Sequence, residues 1–553
     1  MLKNNIVLDV DVAIDLLMDR KPYSHSTKAA FEKASGANCC IWFVAANLPA
    51  LLERLGETIQ GSARNEGRES DPEAVSAEAR ETLRRFIKQV RMLSSYGFDA
   101  EFASTSENPI GELILRAADA FAEDVSILSR DPKLIESDER VMDPQTFLDA
   151  DDPVRGIEDP IPFVDLARQQ HRILPKIEKG ISSVLRHGQY IMGPEIGELE
   201  RKLAEYVGVE HALCCASGTD ALLLALMAYG VGSGDAIFTS PFSFIATTEV
   251  ISLLGATPVF VDIDPRTFNI DPECLERAIR ACRENNAGIY PLPALAAPSA
   301  APLRARGVIP VDLFGLPADY ERINAIAGRE GLFVIEDAAQ AFGAEYRGRR
   351  TCSLADIACT SFYPSKPLGG YGDGGAVFTS DRETAERIAS IRVHGMGAGQ
   401  YDNIRIGINA RMDTLQAALL LTKLVIFPEE LVARDRIAHR YTQLLSAHDS
   451  LQTPWVPDGL QSVWAQYSIL SDRRQHIQSA LKAKGIPTAV HYPKPLHLQT
   501  AYVGLGYQEG DFPESETVSR RILSLPMHPY LTEGEIIKIA TEVATAFTQC
   551  GGT

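Results

Sequence analysis

The sequence predicts an α/β protein of more than one domain, and three observations carry that expectation. Short apolar runs alternate with longer stretches of helical periodicity along most of the chain. Many of these runs end in Gly, Ser, Thr or Asp and pass into a helical stretch, as strands of a parallel sheet do. Finally, 553 residues exceed what one ordinary core accommodates, and an Asp/Glu/Pro-rich stretch without periodicity separates two such patterns. The expected division is a small parallel α/β domain over 1–137, a linker over 138–160 and a second domain from 161 onward.

Composition narrows the classes of function. Lys and Arg number 54 against 73 Asp and Glu, a net charge of −19, which argues against nonspecific binding to nucleic acid or anionic lipid. No apolar run reaches the ~20 residues that span a bilayer. The first twenty residues carry Asp9, Asp11, Asp15 and Asp19, unlike a signal peptide. The nine cysteines show neither a CxxC nor a zinc spacing, so reduced thiols in a cytoplasm are expected.

In the first domain, Ile6–Val10 reads as a strand entering an amphipathic helix that ends near Pro22. Cys39–Val44 reads as a second strand, followed by a helix at about Leu48–Leu55. Asp71–Leu93 has a charged helical pattern with Pro72 in its first turn. Glu112–Ala122 is a further helix, and Val125–Leu128 a strand. Asp9 and Asp131 follow strands, where open α/β sheets place ligands. The stretches Leu8–Asp11, Glu112–Ala118 and Ile127–Asp131 resemble a PIN domain, a fold that gathers carboxylates around Mg²⁺ or Mn²⁺. The resemblance carries over Asp9, Glu112 and Asp131 as metal ligands. A further family acid has no clear counterpart: Asn47 stands near its place and Glu53 comes late. A metal nuclease and a catalytically dead regulatory module both remain open, and nucleic acid is a partner only if the domain is active.

The second domain opens with a long helix bearing Ile173, Ile177, Ile181, Val184 and Leu185 at helical spacing, and a second helix covers Glu195–Val207. His211–Cys215 is a strand that breaks at Ala216–Asp220 and restarts as a helix over Ala221–Tyr229. Ser-Gly-Thr between strand and helix offers free N–H groups and a positive dipole end, a seat for phosphate. The same residues also cap helices that bind nothing. Ala236–Thr239 is the next strand, and Phe244 beyond it can stack on a planar cofactor or fill a core. Thr257–Asp264 is a further strand. Ala287–Gly307, rich in Ala and Pro, reads as an inserted surface loop.

Val308–Gly315 and Phe333–Ala341 repeat the pattern of strand then polar residues. Asp337, at the end of an apolar strand, can keep a pyridinium nitrogen protonated or simply cap a helix. Gln340 shares its face if a helix begins there. The most telling stretch is Ser361–Gly375, where Lys366 precedes five glycines between two apolar runs. Burial lowers a lysine's pKa and frees the amine for attack on a carbonyl, making Lys366 a candidate Schiff-base nucleophile.

Gly218–Leu222, Glu336–Gln340, Ser361–Lys366, Gly372–Gly375 and Asn409–Asp413 follow one another as they do in the DegT family of pyridoxal-phosphate (PLP) dependent nucleotide-sugar aminotransferases, which this chain resembles from about Ile161 to its end. The resemblance implies a fold-type I PLP-dependent transferase: a large mixed, mostly parallel sheet flanked by helices over 161–425, plus a small C-terminal α/β lobe over 426–553, preceded by the PIN-like domain. It implies that Lys366 is catalytic. Asp337 would pair with the pyridine nitrogen, Gln340 with the ring hydroxyl, and Phe244 with the ring face. Gly218, Thr219 and Ser361 would hold the phosphate, and Asn409 would reach it from the other subunit of a homodimer. Arg411, His491 and Tyr492 would contact substrate. The stretches Arg186–Pro194, Ala489–Pro493 and Leu525–Tyr530 resemble the branch that aminates a UDP-linked 3-keto uronic sugar with glutamate for O-antigen synthesis. Amination of another nucleotide keto-sugar at C3 or C4, and a PIN nuclease with a passenger aminotransferase, are the alternatives.

Overall fold

In a computed structural model, residues 161–294, 302–399, 401–446 and 451–548 are described, together with the backbone of five short strands before them. The chain divides into two compact units, Met1–Asp159 and Pro160–Thr553. The first holds a wholly parallel sheet in the order Arg91–Leu93, Cys40–Val44, Asn5–Leu8, Val125–Leu128, Val141–Met142. Two of these strands were not expected. Arg91–Leu93 closes a stretch with a helical pattern, and Val141–Met142 lies in the expected linker. Both are edge strands of two or three residues, too short to impose a period on the sequence. Asp9, Glu112 and Asp131 lie outside the described residues.

The second unit is built on seven strands: β1 (His211–Cys215), β2 (Asp235–Thr239), β3 (Thr257–Phe260), β4 (Arg304–Ile309), β5 (Phe333–Asp337), β6 (Ile357–Ser361) and β7 (Gly375–Thr379). Their order is β1-β7-β6-β5-β4-β2-β3, and only β7 runs against its neighbours. Helices precede and connect them: α1 (Leu166–His187), α2 (Pro194–Val207), α3 (Gly218–Ala228), α4 (Ala246–Leu253), α5 (Pro272–Glu284), α6 (Tyr320–Glu330), α7 (Arg382–Ile391) and α8 (Thr414–Leu445). Side chains alternate between two cores, which is why the strands read as continuous apolar runs. Phe238, Val308 and Val334 pack with Leu275 of α5 and Ile323 of α6. Ile237, Ile309 and Ile335 pack with Leu222 of α3 and Ile388 of α7.

A smaller lobe pairs β8 (Tyr467–Leu470) with β9 (Ile522–Leu525) in antiparallel register, beside α9 (Arg474–Ala483), α10 (Pro513–Arg521) and α11 (Glu533–Thr548). Its core also takes Ile437, Tyr441 and Leu445 from α8. The expected boundary at 425/426 therefore falls inside a single 32-residue helix.

Four local expectations need correction. Leu185 is 57% exposed, while Ile173 and Ile177 pack against Leu419 and Ile426 of α8 and Val184 is buried. The expected strand Thr257–Asp264 ends at Phe260. The Ala/Pro-rich segment is not all surface loop: β4 begins at Arg304, and Tyr290 is buried, its hydroxyl accepting the Asp262 N–H at 2.8 Å. Lastly, no helix follows Asp337. Consecutive turns do, closed by the Ala341 N–H on the Ala338 carbonyl at 3.0 Å.

Candidate active site

Three chain segments meet at the carboxyl ends of β1, β5 and β6. At the first, β1 breaks at Ser217, whose extended backbone caps α3 and whose hydroxyl accepts the Asp220 N–H at 3.0 Å. A side chain on Gly218 would sit 2.7 Å from the Ser361 Cβ, and one on Gly375 would sit 2.4 Å from the Ser217 carbonyl oxygen. Glycine is thus required for the turn before α3 to lie against the ends of β6 and β7. The outcome is an open helix N-terminus, with Thr219 in its first turn and Ser361 beside it.

Asp337 ends β5 almost fully buried. Its Oδ2 accepts the Thr247 hydroxyl from α4 at 2.8 Å, and its Oδ1 the Ala339 N–H at 3.2 Å. Burial raises its pKa, while these two hydrogen bonds and the charge of Lys366 hold it down. Lys366 stands in the opposite relation. Desolvation lowers its ammonium to about 8, and the Asp337 carboxylate opposes that shift. The loop bearing Lys366 is pinned from α8. Lys423 donates to the Gly369 carbonyl at 2.7 Å and sits 4.1 Å over the Tyr371 ring, and Gln416 accepts the Tyr371 N–H at 2.9 Å.

The turns after β5 bring Gln340 to the same place. Its Oε1 accepts the Phe314 N–H at 2.8 Å, and its Nε2 donates to the Tyr492 hydroxyl at 3.1 Å. Phe244 is 55% exposed, its ring 6.4 Å from that of Tyr492. Neighbouring His491 bonds through Nδ1 to the Ser524 hydroxyl at 3.0 Å. Burial first, and then the Lys366 charge, lower its pKa. Asn409 and Arg411 lie on a surface loop and bond each other, Arg411 Nε donating to Asn409 Oδ1 at 2.9 Å. That loop joins the turn before α3 through the Ala216 N–H on the Ala410 carbonyl at 3.0 Å.

Sequence reasoning had not singled out Thr247, Gln416 or Lys423. Thr247 stands in a run of Ser and Thr entering a helix, where nothing local separates a carboxylate partner from a cap. Gln416 and Lys423 act from a helix that is distant in sequence.

Residues 172–544 match the DegT/DnrJ/EryC1/StrS aminotransferase family. The chain belongs to that family. Its fold is the fold-type I α/β arrangement of its structural relatives, and it is a transaminase-type enzyme. It is 49% identical over 376 residues to the UDP-2-acetamido-2-deoxy-3-oxo-D-glucuronate aminotransferase of Pseudomonas aeruginosa, covering 68% of this chain and 97% of that one. A DegT/DnrJ/EryC1/StrS aminotransferase from Brucella abortus superposes with a TM-score of 0.65 at 49% identity, over 69% of this chain and 98% of the other. NtdA from Bacillus subtilis, with bound cofactor PMP, gives 0.61 at 27% identity, over 70% and 84%.

The cofactor these DegT-family relatives imply is PLP, and the residues present fit it. A helix N-terminus backed by glycine suits a phosphate. The buried Asp337 carboxylate suits a ring cation, Phe244 offers a free aromatic face, and Lys366 is a desolvated amine. Among the described residues no group of three or more His, Cys, Asp or Glu could hold a metal ion. Among them, too, no helix is long and apolar enough to cross a membrane.

Proposed function

We propose that this DegT-family enzyme moves an amino group from glutamate to C3 of a UDP-linked 3-keto sugar, 2-acetamido-2-deoxy-3-oxo-glucuronate, in the cytoplasm, for O-antigen synthesis. The observation that carries this reading is a desolvated Lys366 beside the buried Asp337–Thr247 pair, in a stretch of 376 residues 49% identical to the Pseudomonas enzyme over 97% of that enzyme's length. Bound PLP supplies an electron sink and carries the amino group between two half-reactions.

The chain's own residues have separable tasks in this reading. Gly218 and Thr219 present N–H groups, and Ser361 a hydroxyl, to the phosphate. Asp337, oriented by Thr247, keeps a proton on the pyridine nitrogen. Gln340 would meet the ring hydroxyl, and Phe244 would cover one ring face against water. Lys366 would hold the cofactor covalently at rest and would supply the amine that moves a proton at the reacting carbon. Arg411 has the fork to take a carboxylate, and His491 and Tyr492 border the sugar. Asn409 would be lent to the phosphate of a second copy. Tyr401, Ile404 and Ile406 on the same loop are 88%, 57% and 86% exposed, which supports a homodimer covering them.

Borohydride treatment of the PLP-loaded protein should leave a phosphopyridoxyl group on the peptide containing Lys366. Mass spectrometry of products from glutamate and a panel of UDP- and dTDP-ketosugars should show amination of the UDP 3-keto uronate first. Preference for a 4-keto or dTDP sugar would redirect the assignment within the family. For the N-terminal unit we propose a PIN-like domain. Its support is a parallel sheet in which Asn5–Leu8, the strand leading to Asp9, lies between Cys40–Val44 and Val125–Leu128. Mg²⁺- or Mn²⁺-dependent RNA cleavage lost in Asp9→Asn would mark it as a nuclease, and no cleavage as a regulatory module.

A further inference from the structure

Directly before Asp337 on β5 stands a second acid, Glu336. By strand alternation it points the other way, to the face of Val334 and α6. Glu336 and Asp312 are both fully buried. Glu336 accepts the Cys352 N–H on Oε1 and the Leu354 N–H on Oε2, the latter at 2.9 Å. Asp312 accepts the Ala318 N–H and the Tyr320 hydroxyl, each at 2.9 Å, both on Oδ1. Its Oδ2 receives no donor, and the two carboxyl groups lie within hydrogen-bonding reach of each other. Ionised carboxylates only accept. Two of them facing each other in a sealed site therefore require a proton between them.

Its position follows from the remaining bonds. Both Glu336 oxygens already accept backbone N–H groups, which favour the ionised form. Asp312 Oδ2 is the oxygen left without a partner. A proton there, donated to Glu336, leaves every oxygen of the pair satisfied. The other groups facing the pair are Tyr320 of α6, Arg349, Cys352 and, more remotely, Asp337. With one proton the pair carries a single negative charge, sparing Asp337 a second like charge nearby.

The pair also holds the site. The Asp312 N–H donates to the Asp337 carbonyl at 3.0 Å. Two residues on, Phe314 is held at φ 60°, where its N–H meets Gln340 Oε1. A buried phenylalanine keeps that conformation only where its surroundings impose it. The Ala318 N–H on Asp312 Oδ1 closes this segment upon itself. We propose that Asp312 carries one proton shared with Glu336, and that this pair is a positioning element setting Asp337 and Gln340 against the cofactor ring. The positioning half of this rests on the reading of those two residues given above.

Two near-isosteric variants separate the roles. In Asp312→Asn an amide N–H replaces the shared proton, with unchanged charge and with Oδ1 still accepting from Ala318 and Tyr320. In Glu336→Gln an amide NH₂ is forced against the Cys352 or Leu354 N–H. Asp312→Asn should stay within about threefold of the parent kcat/KM and keep the pH midpoint of the visible band of PLP-loaded protein, whereas Glu336→Gln should lose about tenfold or more in kcat and shift that midpoint. Infrared spectroscopy of the full chain without PLP should show the carbonyl stretch of a protonated carboxyl at neutral pH, absent in Asp312→Asn. Should Glu336→Gln fail to fold, Tyr320→Phe serves instead. It removes a hydrogen bond from the Asp312 carbonyl and should move that stretch to higher frequency. A band that survives in Asp312→Asn, or is indifferent to Tyr320→Phe, overturns the assignment of the proton. Equal tolerance of both acid variants overturns the positioning role. Because the infrared test needs no cofactor, its failure is distinguishable from a missing Lys366 adduct.

Discussion

The pH at which Lys366 becomes a nucleophile can be worked out directly. Its ammonium is lowered from an ordinary 10.5 to about 8, by desolvation against the pull of Asp337. Only the free base attacks an aldehyde. At pH 7 a group of pKa 8 is free base in about one molecule in ten, and an ordinary lysine in about one in 3,000, so capture of PLP by apoprotein should be about 300-fold faster than at a surface lysine. Protonation dominates below the pKa, so the capture rate should rise about tenfold per pH unit up to 8 and then level off. Asp337→Asn removes the charge that holds the ammonium up. The plateau should then begin at lower pH, with faster capture at neutral pH even as transamination collapses. Stopped-flow absorbance after mixing apoprotein with PLP, quenched with borohydride and mapped to the Lys366 peptide, measures this. A rate still climbing in proportion to hydroxide past about pH 9.5 would mean the amine is not desolvated, and the reasoning would fail.

Other expectations follow from single contacts. Thr247→Val removes the 2.8 Å bond to Asp337 with little change in shape; a hydrogen bond to a charged group is worth about 1.5–3 kcal/mol, so kcat should fall about tenfold to a hundredfold, and Tm should drop by a few degrees because a buried carboxylate oxygen loses its donor. Gly218→Ala drives a methyl to 2.7 Å from the Ser361 Cβ. Equilibrium dialysis should show weakened PLP binding, and apoprotein stability should drop by about 1–3 kcal/mol. His528 is fully buried with neither ring nitrogen bonded, and burial lowers its pKa from 6.5 to about 4. Its contribution is complete above pH 6.5 and is lost as pH falls toward 4, as much as about 3 kcal/mol, so His528→Phe should flatten the fall of Tm across that window.

What the sequence made legible was whatever lies within a few consecutive residues. The strand-to-helix junction at Ser217–Thr219, the acid ending β5 and the lysine before the glycines all announce themselves locally. Gln340 shares the site by consecutive turns and not by a helix, so helical spacing from Asp337 could not by itself place it, and the family resemblance did. Thr247 looked like any hydroxyl near a helix start. Tyr290 was hidden in an Ala/Pro-rich stretch whose composition suggests surface. Asp312 and Glu336 each fitted the pattern of strand then polar residue. Their confrontation depends on how β5 and the segment after β4 lie side by side, which no local period encodes.

One helix, α8, reaches both ends of this architecture. Gln416 and Lys423 near its start grip the loop of the reactive lysine, and Ile437, Tyr441 and Leu445 near its end fill the smaller lobe. The lobes are therefore not interchangeable cassettes. A chimera joined at residue 425 would replace nearly two thirds of a rod whose first turns already grip the reactive loop. Swapping sugar preference between relatives calls for exchanging surface loops and leaving that rod whole.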